Sequence, residues 1–145
     1  MKKYFTVTIV AVVFFVTGLL VASAFAGQFP QAGFVLEHEN DIAVSEPGPH
    51  EGGGLTTVYN FFSKARDVKL VFRKRILHPG AAIGYHLQKE DEIYYIAGGT
   101  GEMEVNSETF MVRAGDAILT RPGSSHGLKQ TGKDDLVVII NYELK

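Results

Sequence analysis

The 145-residue chain contains no cysteine, which excludes disulfides, thiolate metal sites and cysteine nucleophiles together. It also lacks a basic run. With 14 Lys and Arg against 16 Asp and Glu the formal net charge is −2, and no cluster supplies the positive footprint that a nucleic-acid partner requires. No internal repeat is visible. The glycine groups Gly52-Gly53-Gly54 and Gly98-Gly99-Thr100-Gly101 lack the strand-to-helix context and the lysine of a phosphate-binding loop. Ser124-Ser125-His126 has neither the order nor the geometry of a nucleophile and its base.

What the chain does have begins with an address. Lys2 and Lys3 precede an uncharged apolar stretch, Tyr4 to Ala26, whose end Ala24-Phe25-Ala26 has the small-x-small form of a signal-peptidase site. Ala22-Ser23-Ala24 is an alternative site two residues earlier. The stretch is also long enough to cross a bilayer, so an uncleaved anchor is the competing reading. In both cases the rest of the chain is expected outside the cytoplasm, periplasmic or secreted, because the positive end stays inside. Cutting after Ala26 leaves 145 less 26, or 119 residues, enough for one domain. Losing Lys2 and Lys3 leaves 12 basic against 16 acidic residues, a charge of −4. A disulfide-free domain of this size depends on its apolar core.

Beyond residue 26 the sequence offers short apolar runs broken by turn residues, the all-β pattern, and no helical periodicity. Strands are expected at 34–37, 41–44, 56–62, 68–77, 82–86, 92–97, 101–105, 108–113, 117–120, 127–130 and 136–142. Asn106-Ser107 reads as a hairpin turn. Ser45 to Gly54 is rich in Pro and Gly and reads as a loop or arm. The organisation expected is a signal segment (1–26), an arm with a Gly/Pro-rich loop (27–55) and a β-barrel (56–145). Such a barrel is just wide enough for a metal and a small ligand.

Within the barrel, His86-Leu87-Gln88-Lys89-Glu90-Asp91-Glu92 and the later Gly115-Asp116 and Pro122-Gly123-Ser124-Ser125-His126 are spaced like two halves of one metal site. His86 and Gln88 are two apart on extended chain and share a face. Glu92 opens the next strand with Tyr94 and Ile96 as same-face neighbours, and folding back would bring His126 alongside. Imidazole and carboxylate suit a first-row ion, iron, manganese, nickel, copper or zinc, and two His with one carboxylate leave positions open for substrate.

These halves resemble the two motifs of the cupin superfamily. Gly80, His86, Gln88, Glu92 and Gly99 fall on the first motif, and Gly115, Gly123 and His126 on the second. Pro122 stands one place late, with Arg121 where proline is usual. The resemblance implies a double-stranded β-helix, or jelly roll, and a single divalent metal ion held by His86, Gln88, Glu92 and His126. Gln88 replaces the second histidine of the motif, so an amide either ligates the ion or hydrogen-bonds a bound water or substrate. The superfamily hosts many reactions and does not fix this one.

Other residues are read from their surroundings. Tyr94 faces the interior and offers a proton donor or substrate anchor. Arg73 and Arg75 share a strand face opposite Leu70, Phe72 and Ile76, which places them outside if those three are core; in the reversed register an arginine such as Arg73 reaches the cavity and clamps a carboxylate. His38 reads as surface, His78 as part of a turn and His50 as a solvated loop residue, on a loop able to fold over the barrel mouth. Two functions are expected: a mononuclear metalloenzyme of dioxygenase or isomerase type acting on a small molecule, or a metal-dependent protein that binds a small ligand or sugar without turnover. No catalytic base is identifiable beyond the ligands. A homodimer is expected, because apolar strands ahead of the barrel need a partner edge.

Overall fold

The computed structural model describes residues 33–145; the expected signal segment lies outside them. Among the described residues no helix is long and apolar enough to cross a membrane. After a single helical turn, α1 (Glu39–Ile42), ten strands follow: β1 (Ala43–Pro47), β2 (Leu55–Phe61), β3 (Leu70–Leu77), β4 (Ala82–Leu87), β5 (Glu92–Gly98), β6 (Thr100–Val105), β7 (Glu108–Arg113), β8 (Ala117–Thr120), β9 (Ser125–Gln130) and β10 (Leu136–Glu143). They form two antiparallel sheets, β1-β2-β3-β10-β5-β8 and β4-β9-β6-β7. The fold is the all-β jelly roll expected.

Alternation along the strands builds the core. Glu92, Tyr94 and Ile96 of β5 are buried while Ile93 and Tyr95 are exposed, and Leu136, Val138 and Ile140 of β10 follow the same period. With Leu77, Ile83, Met103, Val112 and Leu128 they fill the space between the sheets. Each such side chain contributes about 1.5–3 kcal/mol when fully buried. The polar Glu92 therefore enters an otherwise apolar row, which embeds a carboxylate, a candidate metal ligand, in the core. Asn106 and Ser107 both have positive φ, 47° and 69°, as a two-residue primed hairpin turn between β6 and β7 requires.

Three expectations are corrected. Residues 34–37 form no strand: no edge is paired with them, and Phe34 is 90% exposed. There the Glu37 carboxylate accepts a hydrogen bond from the Phe62 amide at 2.7 Å. Residues 39–42 close a helical turn, with Asp41 N donating to His38 O, and the strand begins only at Ala43. It then runs on to Pro47, into the stretch read as loop. Pro47 is tolerated because β1 is an edge strand. β1 pairs with β2 of the same chain, Ala43 opposite Tyr59 and Pro47 opposite Leu55.

The third correction is the facing of β3. Arg73 and Arg75 point inward, and Leu70 and Phe72 are 55% and 36% exposed on the outer face. Both faces of β3 carry apolar residues, so the pattern alone favours the wrong side; a one-residue difference in register inverts every side chain. The inward arginines are compensated in part, Arg75 Nε being buried without a hydrogen-bond partner. Arg75 Nη1 donates to Thr56 Oγ1 and Nη2 to Glu46 Oε1, each at 2.8 Å, and Arg73 Nε donates to Asn60 Oδ1 at 2.6 Å.

Candidate metal centre

His86 and His126 are direct cross-strand partners of β4 and β9. That pairing brings residues 40 apart in sequence to an Nε2–Nε2 distance of 3.3 Å. A second tie holds the two motifs together, since Gln88 N donates to Ser124 O and Gly123 N to Gln88 O. Glu92 enters from the facing sheet, with Oε2 3.0 Å from His126 Nε2. One donor atom from each of His86, Glu92 and His126 lies within 4.8 Å of the other two.

The chemistry of this cluster fits a cation. The Nδ1 of His86 lies 2.8 Å from the Gly84 carbonyl, which only accepts; Nδ1 therefore carries the proton and Nε2 presents a lone pair. The Nδ1 of His126 is held at 2.7 Å by the buried Thr120 hydroxyl, an outer contact that fixes the ring. Glu92 Oε2 is buried and has no hydrogen-bond partner: it is close enough to His126 for an ion pair but lacks hydrogen-bond geometry. An unpartnered buried carboxylate oxygen costs several kcal/mol. Two donors at about 2.1 Å from one ion and at right angles to each other lie about 3 Å apart, close to the His86–His126 and Glu92–His126 separations. His86, Glu92 and His126 could thus hold one face of a first-row ion.

The open side of the cluster looks into a cavity of about 280 Å³ lined by His50, Arg73, Arg75, His86, Gln88, Glu92, Tyr94 and Tyr142 among others. All six residues singled out from the sequence are accounted for. His86, Glu92 and His126 form the cluster. Gln88 is only 7% exposed and stands on the cavity wall beside it. Tyr94 is buried with its ring 4.9 Å from that of His126. Burial, and then the neighbouring Glu92 carboxylate, push its phenol well above the usual tyrosine value, so it keeps its proton and can donate. Arg73 lines the cavity. His38 is exposed, and His78 is bound on both sides, to Thr57 Oγ1 and Asp135 Oδ1.

Sequence reasoning did not name Thr120, favoured an outward Arg75 and read His50 as a solvated loop residue. His50 is exposed at the mouth, but it is not simply solvated: its ring stacks on that of His86, centroids 3.6 Å apart and planes 7° from parallel. Partial burial, and then the adjacent His86, hold its pKa below the ordinary imidazole value. The only signal for it was the Gly/Pro-rich loop, whose folding over the mouth is what places it here.

The comparisons agree with this geometry. The family model for the cupin domain matches residues 74–142. This barrel is a cupin domain. Two curated relatives are an oxalate-binding protein of Thermotoga maritima, 39% identical over 67 residues, and a 5-nitrosalicylic acid 1,2-dioxygenase of a Bradyrhizobium species, 32% identical over 70 residues. These alignments take in 46% and 48% of this chain, and only 55% and 34% of the relatives. Among solved structures, a predicted oxalate decarboxylase of Thermotoga maritima superposes with a TM-score of 0.70 at 29% identity, over 77% of this chain and all of that one. The residues matched by the family model take in β5, β9 and most of β10, the strands that carry Glu92, His126 and part of the cavity wall.

Proposed function

We propose that this cupin is an exported mononuclear metal protein acting on a small carboxylic acid. The observation that carries the reading is the juxtaposition of the His86–Glu92–His126 cluster with the two inward arginines, Arg73 and Arg75, around one small cavity. The ion would be held by the two imidazoles and the carboxylate, with the Gln88 amide next to it, and would supply a Lewis-acid or redox centre. The arginines offset the charge of an acid, and a guanidinium suits the planar geometry of a carboxylate. Tyr94 keeps its phenolic proton and offers a donor. The names of the relatives, oxalate-binding protein and nitrosalicylic acid dioxygenase, concern small carboxylic acids and support the same class.

A reading without turnover is favoured by the name of one relative, an oxalate-binding protein. Loading the protein with Mn(II) or Fe(II) and following oxygen uptake and carbon dioxide release across a panel of small acids separates the two. Turnover of any acid establishes the enzyme; saturable binding without product establishes the binder; neither sinks the proposal.

Export rests on Lys2, Lys3 and the uncharged stretch to Ala26. Fractionation and N-terminal sequencing test it, a start at Gly27 or Phe25 being the expected result. The proposed assembly is a homodimer. The outer face of the six-stranded sheet exposes Phe72, Ile93, Tyr95 and Leu119, and the unpaired arm adds Phe34, Val35 and Leu36, apolar surface that a second copy would cover. Light scattering at micromolar concentration should give twice the chain mass; a monomer mass refutes it.

A further inference from the structure

The loop between β1 and β2 lies outside the matched cupin region, yet it delivers an imidazole to the metal cavity. We propose that His50 is a specificity-determining residue, giving the bound acid a ring N–H while leaving the ion to His86, Glu92 and His126. The inference rests on the acid-binding reading above and extends it to a residue that neither motif contains.

Stacking geometry decides between ligand and recognition residue. A ring nitrogen donates its lone pair in the plane of the ring. His86 aims its Nε2 at the cluster, and the His50 ring lies parallel to it at 3.6 Å. An ion in the plane of His86 is therefore well out of the plane of His50, and His50 cannot bind it in this pose. His50 instead lines the cavity together with Arg73 and Arg75. Both ring nitrogens of His86 and of His126 are engaged in close polar contacts, whereas those of His50 have no hydrogen-bond partner among the described residues. The face of the ring is used for packing and the edge is free for a ligand.

The loop is built to hold this pose. His50 and Glu51 both take left-handed backbone, φ 54° and 61°, a conformation unusual outside glycine. Four backbone hydrogen bonds pin it: Gly48 N to Gly54 O, Gly52 N to Pro49 O, Ala82 N to Gly53 O and Gly84 N to Pro49 O. Gly84 allows the closest approach, for a Cβ there would overlap the His50 carbonyl oxygen. Strain sustained by so many local contacts is typical of a position fixed for function, and a donor fixed in advance loses little freedom when a ligand binds.

Two substitutions separate packing from hydrogen bonding. His50→Phe keeps a flat ring on His86 but has no N–H. His50→Asn keeps an N–H donor, suits left-handed backbone and loses most of the stack. Mn(II) affinity and oxalate affinity of the Mn(II)-loaded protein are measured by calorimetry, with thermal melting to verify folding. For His50→Phe we expect Mn(II) affinity within about twofold of the parent and oxalate affinity about tenfold lower, the loss of one hydrogen bond to a charged acceptor. His50→Asn should retain more oxalate affinity than His50→Phe. Parental oxalate affinity in a folded His50→Phe, or equal losses in both variants, overturns the role of His50 and leaves the acid-binding reading standing. Failure of the parent to bind oxalate or any other acid of the panel in the presence of Mn(II) overturns both.

Discussion

Glu46 reaches from β1 to the guanidinium of Arg75, Oε1 to Nη2 at 2.8 Å, and so ties an edge strand of the larger sheet to the wall of the cavity beside the candidate metal centre. Thr56 completes the arrangement, its hydroxyl accepting from Arg75 Nη1 and donating to the Glu46 carbonyl. The strand ahead of the matched region is thus part of what makes an inward arginine tolerable.

Removing that carboxylate should be costly. Arg75 is 3% exposed, and Glu46→Ala would leave its charge buried with Thr56 as the remaining side-chain partner. Breaking a fully buried pair costs about 3–5 kcal/mol. The Glu46 side chain is 39% exposed, which lowers the expectation to about 2 kcal/mol. Urea unfolding of Glu46→Ala should show that loss, and the double variant Glu46→Ala, Arg75→Met should recover most of it, since no charge is then stranded. A single variant as stable as the parent would mean the pair contributes nothing.

How much of this site was legible in the sequence depends on what positions each residue. His86, Glu92 and His126 were readable as a group because spacing and period-2 alternation set where their side chains go, and Tyr94 follows from Glu92 by the same alternation. Arg73 and Arg75 were misread because β3 is apolar on both faces, so hydrophobicity cannot choose its register. His50 was read as solvated for a different reason: a loop able to cover the mouth was visible, but the ring's place against His86 comes from docking by backbone hydrogen bonds and glycine contacts, which leave no periodic trace. Residues 34–37 have strand-like composition, but a strand also needs a neighbouring edge, a tertiary condition that local composition does not report.

Metal binding should follow the donor order. His86→Ala and His126→Ala each remove an imidazole from the cluster and should abolish stoichiometric uptake, measured by elemental analysis after loading and desalting. Gln88→Ala removes a neutral amide, a weaker donor, and should lower affinity by a smaller factor. Parental metal content in both histidine variants would show that the cluster does not hold the ion.

Thr120 tests the outer contact separately. Thr120→Val keeps the shape of the side chain and deletes the hydroxyl 2.7 Å from His126 Nδ1, leaving a buried ring nitrogen without its partner. Losses of about 10–100-fold in metal affinity are usual for such changes, and a few-degree drop in melting temperature should accompany them, from about 1–2 kcal/mol for the unsatisfied nitrogen. Unchanged affinity in the folded variant would mean that packing alone, through Tyr94 and the strand pairing, orients His126.

Gln88→His bears on the feature that departs most from the cupin motif. Gln88 follows β4 directly, faces the cavity and is nearly buried, and its backbone is fixed by Ser124 and Gly123, so the substitution should leave the fold intact. An imidazole there adds a stronger donor beside three that already converge, and metal affinity should rise by a modest factor, about three- to tenfold. The same change removes an amide that can hydrogen-bond a bound water or acid, so acid affinity or turnover should fall while metal affinity improves. Titration of metal and then of oxalate into parent and variant separates the two effects. A folded variant that binds metal more weakly than the parent would place Gln88 in a site of different design, one in which the amide and not an imidazole is the group the ion requires.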